Sequence, residues 1–403
     1  MMLVRLVKPL FFFDKCILRS LGATFAHQVW SWGNNDAGQL GLGDMKSRRV
    51  PSRIPIGENG EASSIVMISC GKKHTLLLTS QGKVLAAGDN SDGQCGKGEM
   101  KVVKAKNGVE VEICSVPMLT KFEEIDYKGP PVVKVSAGAN FSMLLDIEGH
   151  VWTFGNQEFG QLGNGTNGSY NAAEARVDLH FAGIPQAKRL MQCFRRDSKT
   201  KKVKEIEMLK ARDISAGSHH AAMVDELDRV FTWGQGRYGA TGHGETVDIH
   251  VPTWVAALDH PRGKVKAVAC GHTVTVMHGK LFGHRYLAGV LDPRSQEVNM
   301  TPKQYFGMGH SGVRDIAFWK RGFVAVNEDG KVTVSNRGPC FGELGLGKHI
   351  ATSGPPKPMK QLEFSHVLMV GTGVNMCIYV LRDTEEEDKE ELEEGYDLLD
   401  QTD

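Results

Sequence analysis

Of the residue patterns that could do chemistry, the first to weigh is Gly234-Gln235-Gly236-Arg237-Tyr238-Gly239, which satisfies G-x-G-x-x-G directly after an apolar run. A dinucleotide site needs a helix opening there, so that its N-terminus meets the pyrophosphate. No amphipathic helical pattern follows, and Gly234 and Gly239 recur elsewhere on a fixed spacing, so the segment reads as a turn and no cofactor is expected. Walker A, H-E-x-x-H and G-x-S-x-G patterns are absent. The eight cysteines (Cys16, Cys70, Cys95, Cys114, Cys193, Cys270, Cys340, Cys377) include no C-x-x-C, and no His pair stands at ligand spacing, so neither a metal site nor a disulfide framework is indicated. His74 and His220 occupy one place in two copies of a repeat, which argues for packing between units; His219, off that register, is the better surface candidate. Trp30, Trp32, Trp152 and Trp233 lie on repeated strands and read as buried packing. Six bases, Arg195, Arg196, Lys199, Lys201, Lys202 and Lys204, cluster near the tip of an expected hairpin and would meet polyanion phosphates without reading sequence. No catalytic residue emerges, and the chain is expected not to be an enzyme.

The elements that must position these residues repeat. Val29-Trp30-Ser31-Trp32-Gly33 is followed by Gly38, Gly41 and Gly43, and the same 5, 3, 2 glycine spacing returns after Val84 to Gly88, Val151 to Gly155 and Val230 to Gly234. Decayed copies stand at Leu281-Phe282-Gly283 and at Val332 to Ser335, the latter ending in Phe341-Gly342-Glu343-Leu344-Gly345-Leu346-Gly347. Before each copy runs a strand, a glycine turn and a second strand, as in Met67 to Leu78, Val133 to Leu145, Asp213 to Val224, Ala267 to Met277 and Asp315 to Val326. Each unit is a small antiparallel sheet with two faces to bury, and radial stacking buries both. Val367 to Leu381 supplies the strand pair that Val29 to Gly43 lacks, so the chain ends share a blade. The expectation is an all-β propeller over 29–382 with six complete blades and an incomplete seventh. Either the native start lies upstream of Met1, or residues 1–28 form one or two strands that patch the gap. Hairpin insertions are expected near 99–131, around Asn107-Gly108, and near 187–212.

Charge is uneven. Residues 383–403 contain twelve acids against Lys389 alone, a charge of −11 that leaves +12 on the rest, and read as a disordered tail. No apolar stretch reaches the roughly 18 residues of a membrane span, so stable membrane insertion is not expected. Segment 1–28, with Arg5, Lys8, Lys15 and Arg19 and only Asp14 acidic, reads as a blade remnant or as a mitochondrial presequence.

These spaced motifs resemble the repeats of the regulator of chromosome condensation family over roughly Val29 to Arg382. Gly138-Ala139-Asn140-Phe141-Ser142-Met143, Glu158-Phe159-Gly160-Gln161-Leu162-Gly163 and Phe341 to Gly345 are most like the family's second paralogue. The resemblance implies a seven-bladed family fold and a protein-interaction role with small GTPases of the Ras superfamily, as regulator or guanine-nucleotide exchange factor. It also implies mitotic association with chromosomes or the spindle, chromatin or microtubules as further partners, and a nuclear and cytoplasmic location. A chromatin-binding module without exchange activity, or an organellar member, is the alternative. The family's Ran exchanger presents acids from the inner turns of one rim. Here the matching positions are Lys72 and Lys73, Ala139 and Asn140, Ser218 and His219, His272 and Thr273; none is acidic, which puts exchange on Ran in question. Lys72, Lys73, Asn140, His219 and His272 are the expected GTPase-facing rim.

Overall fold

The computed structural model describes residues 28–56, 65–104, 110–166, 183–280 apart from 197–199, 201 and 209, then 284–290, 298–304, 313–319, 322–327, 332–336, 357–358, 367–372 and 377–382. Blade I begins with β1 (Gln28–Gly33) and β2 (Arg48–Arg53). Blade II is β3 (Ile65–Cys70), β4 (His74–Thr79), β5 (Val84–Asp89) and β8 (Met118–Glu124), with β6 (Met100–Lys104) and β7 (Glu110–Cys114) as a separate hairpin. Blade III is β9 (Val132–Ala137), β10 (Phe141–Asp146), β11 (Val151–Gly155) and β12 (Ile184–Arg189). A hairpin of β13 (Cys193–Arg196) and β14 (Val203–Ile206) precedes blade IV, which is β15 (Ala211–Ala216), β16 (His220–Asp225), β17 (Val230–Gly234) and β18 (Ile249–Trp254). Blade V is β19 (Val265–Cys270), β20 (Val274–Gly279), β21 (Arg285–Gly289) and β22 (Asn299–Gln304). Blade VI is β23 (Val313–Trp319), β24 (Gly322–Asn327), β25 (Val332–Asn336) and β26 (Lys357–Pro358). β27 (Val367–Thr372) and β28 (Cys377–Arg382) then complete blade I in the order β2-β1-β28-β27, with Gln28 opposite Arg382 and Gly33 opposite Cys377. The described residues therefore hold six blades, five continuous and one shared by the two ends. The segment expected to supply part of a seventh lies outside them, except for Gln28.

The repeated glycines are there for geometry. Gly88 has φ +115°, and a Cβ on it would stand 2.2 Å from the Lys73 carbonyl oxygen, so the chain can turn out of β5 only without a side chain. Gly93, Gly96 and Gly98 follow at φ +81°, +67° and +76°, and the other three intact copies repeat the set. This pattern corrects one sequence reading. The decayed copy in blade V is β21, ending at Gly289 with φ +92° and the Thr273 carbonyl 2.2 Å from a Cβ, and not Leu281-Phe282-Gly283, which lies outside the described residues. The spans expected as insertions also hold blade strands. β8 pairs with β5, and β12 with β11. The second hairpin is not free-standing, because β13 pairs in parallel with β18 and widens blade IV to six strands.

Successive blades are joined by three recurring devices. First, the tip loop of one blade accepts a bond from the next: Thr75 Oγ1 donates to Gln39 O (3.0 Å), Ser142 Oγ to Gln94 O (2.7 Å), Trp233 Nε1 to Gln161 O (2.8 Å) and Thr275 Oγ1 to Ala240 O (2.7 Å). Second, a serine at the fifth position of the innermost strand accepts a backbone N–H from the following blade: Ala137 N to Ser69 Oγ, Ala216 N to Ser136 Oγ and Cys270 N to Ser215 Oγ, at 2.8–2.9 Å. Third, the buried histidines reach across, His74 Nε2 to Ser142 Oγ and His220 Nε2 to Thr275 Oγ1, each 2.9 Å. Burial holds the His74 imidazole down to about 3 and that of His220 to about 4, so both are neutral in the fold. Trp32 and Trp233 are fully buried, and Trp152 packs edge-on against Tyr127.

Candidate functional site

The five residues expected on the rim come from the turns that link the two innermost strands of blades II to V. Lys72 and Lys73 lie between β3 and β4, Asn140 between β9 and β10, His219 between β15 and β16, and His272 between β19 and β20. The turns are hydrogen-bonded in series through the backbone: Lys72 N–H donates to Ala139 O (2.9 Å), Ala139 N–H to Ser218 O (3.0 Å) and Ser218 N–H to Gly271 O (3.3 Å). Four blades thus present one continuous rim. Glycine is needed at its closest approaches, since a Cβ at Gly138 would stand 2.7 Å from the Gly217 carbonyl oxygen.

Side chains along the rim are of mixed type. Lys72 and His272 are exposed, while Lys73, Asn140 and His219 are half-buried. His272 Nδ1 lies 2.6 Å from Ser218 Oγ, and His219 stacks edge-on with Phe159 at 5.0 Å between centroids. Burial first, then the nearby His272 and Lys72 charges, pulls His219 down to about 4. His219 is therefore a neutral aromatic group on this rim.

The sequence reading missed the acids. The rim has none at the turn positions themselves, but the tip loops bring Asp36 and Asp92 against them. Lys73 Nζ sits 3.0 Å from Asp36 Oδ2, and Asn140 Nδ2 donates to Asp92 Oδ2 at 3.2 Å. Burial raises the Asp92 carboxyl above its ordinary value, opposed by hydrogen bonds from Asn156 and Asn140. Both acids stand between the strand-ending glycine and the first spaced glycine of their copies, a position readable from the repeat.

The basic hairpin is a different kind of surface. Arg195 pairs with Asp259 at 3.4 Å and lies over the Trp254 ring at 4.6 Å, and Arg196 pairs with Glu245 at 2.9 Å. These two hold the hairpin to blade IV, whereas Lys202 and Lys204 are exposed. Lys199 and Lys201 lie outside the described residues.

A rim of this build on an all-β chain with this glycine period is what the comparisons with known proteins bear on. The RCC1-like domain matches residues 18–379. The chain belongs to the RCC1-like domain family. Among curated relatives of this RCC1-like chain, the Protein RCC2 homolog of Danio rerio is 32% identical over 379 residues, covering 94% of this chain and 72% of the relative. The Xenopus laevis homolog of RCC2 is 34% identical, covering 94% and 69%. Among solved structures, human WBSCR16 matches with a TM-score of 0.54 at 19% identity, over 89% of this chain and all of that one. Prp20p of Saccharomyces cerevisiae, described together with its binding properties to Gsp1p and histones, matches with a TM-score of 0.54 at 17% identity over 93% and 96%. These likenesses make the fold of this RCC1-like chain a β-propeller.

Proposed function

We propose that this chain is a non-enzymatic interaction propeller that binds a small GTPase of the Ras superfamily through the inner-turn rim of blades II to V. The observation that carries the reading is the continuous backbone linkage of those turns, which fixes Lys72, Lys73, Asn140, His219 and His272 along one edge. A rigid rim loses little entropy on docking, and its mixture of cations, neutral imidazole, Phe159, Asp36 and Asp92 suits a polar partner surface. Identity to RCC2 proteins over most of the chain supports a GTPase-linked role. If the rim favours the nucleotide-free partner, linkage requires that it lower the partner's nucleotide affinity by the same factor. Exchange would follow without any catalytic residue. The same reading places the chain in the nucleus and cytoplasm, with chromosomes or the spindle in mitosis.

The test is binding to nucleotide-free Ral-, Rac- and Ran-type GTPases, beside an exchanger known to work under the same conditions. Selective binding of one of them, weakened about tenfold or more by Lys72→Glu with His272→Glu, is the expected result. Equal failure with all three would overturn it. A chromatin-binding reading has one support, the exposed Lys202 and Lys204. Nucleosome binding that survives their reversal to Glu would remove the hairpin from consideration.

A further inference from the structure

Blade V lacks the devices by which blades II to IV hold the blade that follows each of them. The serine of the inner strand, present as Ser69, Ser136 and Ser215, is Ala269 in β19, and it is exposed. The first residue of β20 is Val274, where β4 and β16 have the bridging histidines. No 5, 3, 2 glycine series, the mark of the clamping tip loops in blades I to IV, follows Gly289. The inner turn shows the same break. A Cβ on Gly71, Gly138 or Gly217 would meet a carbonyl oxygen of the next blade at 2.4–2.7 Å, whereas among the described residues one on Gly271 would meet only Val274 of its own hairpin.

Packing follows the loss. Every residue of β4, β10 and β16 is buried, but in β20 only alternate residues are, leaving Val274, Val276 and His278 half-buried along one face. The innermost strands of blades II to V pack on one another in series, and blade VI packs on β27; among the described strands β19 and β20 have no comparable contact with blade VI. Among the described residues, one face of blade V is therefore left without a covering sheet, and an uncovered apolar sheet face is an association hazard.

We propose that this face is a docking surface for β-structure and that its occupant is the chain's own segment 1–27. That segment is apolar at 17 of 27 positions, rich in the Val, Ile, Leu and Phe that pack on sheets, and has a single acid, Asp14. It also joins the described chain at a suitable place. Gln28 starts β1 in blade I, on the other side of blade VI, and sheets stack about 10 Å apart, so the face of blade V that looks toward blade VI lies roughly 20–30 Å away. About ten extended residues cross that distance at roughly 3.3 Å each. The remainder, from Leu3 to Leu18, is long enough for two short strands.

The experiment places p-benzoylphenylalanine at position 276 of the full chain and maps the photo-cross-link by mass spectrometry in the monomer fraction. Cross-linking to residues 1–27 is expected. Cross-linking to 313–336 would mean that blade VI itself closes the seam, and a cross-linked dimer that a second copy does; either result, or no cross-link, overturns the proposal. A second measurement guards against disturbance by the probe. Val276→Arg should lower Tm by roughly 5 °C in the native chain and by much less once Phe11, Phe12 and Phe13 are all changed to Ser. Strictly additive shifts, or no shift from Val276→Arg alone, would overturn it as well.

Discussion

Blade V meets its two neighbours in different ways. Toward blade IV it is joined by a backbone-to-serine bond at Cys270, a histidine bridge at Thr275 and the tip-loop carbonyl of Ala240. Toward blade VI, Ala269 and Val274 stand where the serine and the histidine would be, and Val276 is half-buried. Among the described residues the same four-stranded sheet is thus sealed on one side only. The contrast shows what a few side chains at fixed places in blades II to IV add to a junction, and that strand pairing within a blade persists without them.

The largest expected effect tests the glycine turns. Gly217→Ala drives a Cβ to within 2.5 Å of the Gly271 carbonyl oxygen, which belongs to the neighbouring blade and cannot swing aside. A loss of roughly 2–3 kcal/mol in urea unfolding is expected, as for other overpacked sites. Among the described residues Gly271→Ala meets only Val274, with its Cγ1 at 2.9 Å, and should cost less than about 1 kcal/mol because a side chain can move. Equal losses would break the contrast between the two faces.

Next comes acid. His74 and His220 bridge sealed junctions, and burial holds them to about 3 and about 4, below the ordinary value of 6.5. Between those values and 6.5 the unfolded chain binds protons that the fold refuses, so stability is full above about pH 6.5 and falls as pH drops toward 4. From pH 7 to pH 5 each histidine should contribute a loss of about 1–2 kcal/mol. His220→Gln should flatten the pH dependence of the unfolding free energy by that amount. An unchanged slope would show that the bridge is not what senses acid.

A smaller effect, about 1–2 kcal/mol, is expected for Ser136→Ala. It leaves the buried Ala216 N–H without the acceptor now 2.8 Å away. The reading is again urea unfolding, with Ser142→Ala as a companion, since Ser142 Oγ both meets His74 and donates to Gln94 O.

Much of this was legible in the sequence, because the repeat ties residue type to place. Gly88, Gly155 and Gly234 could be assigned to one conformation from spacing alone, and the shared blade followed from Val29 lacking a partner that Val367 to Leu381 supplies. The error at Leu281-Phe282-Gly283 arose where the tip glycines are missing, so that nothing fixed which glycine ends the strand. For the hairpin at 187–212 the gap was tertiary, since the pairing of Phe194 with Thr253 depends on where blade IV lies, which no local pattern states. On the rim, register found Lys73 and Asn140 but not their partners Asp36 and Asp92, because each pair joins two blades and a single repeat unit shows only one half.

The smallest expected effect is also the sharpest probe of the unsealed face. Ala269→Ser restores the hydroxyl that Ser69, Ser136 and Ser215 use, at the matching position of β19. On an exposed position the new hydroxyl stays hydrated, and the change in stability should fall within about 0.5 kcal/mol of zero. That outcome fits a cover by segment 1–27 that stops short of Ala269 and leaves it in water, with no N–H in blade register beside it. A gain of about 1 kcal/mol or more would mean that a backbone N–H stands where Ala137, Ala216 and Cys270 stand at the other junctions. The covering element would then be a strand set as an inner blade strand is set, and the two faces of blade V would differ only by the missing hydroxyl.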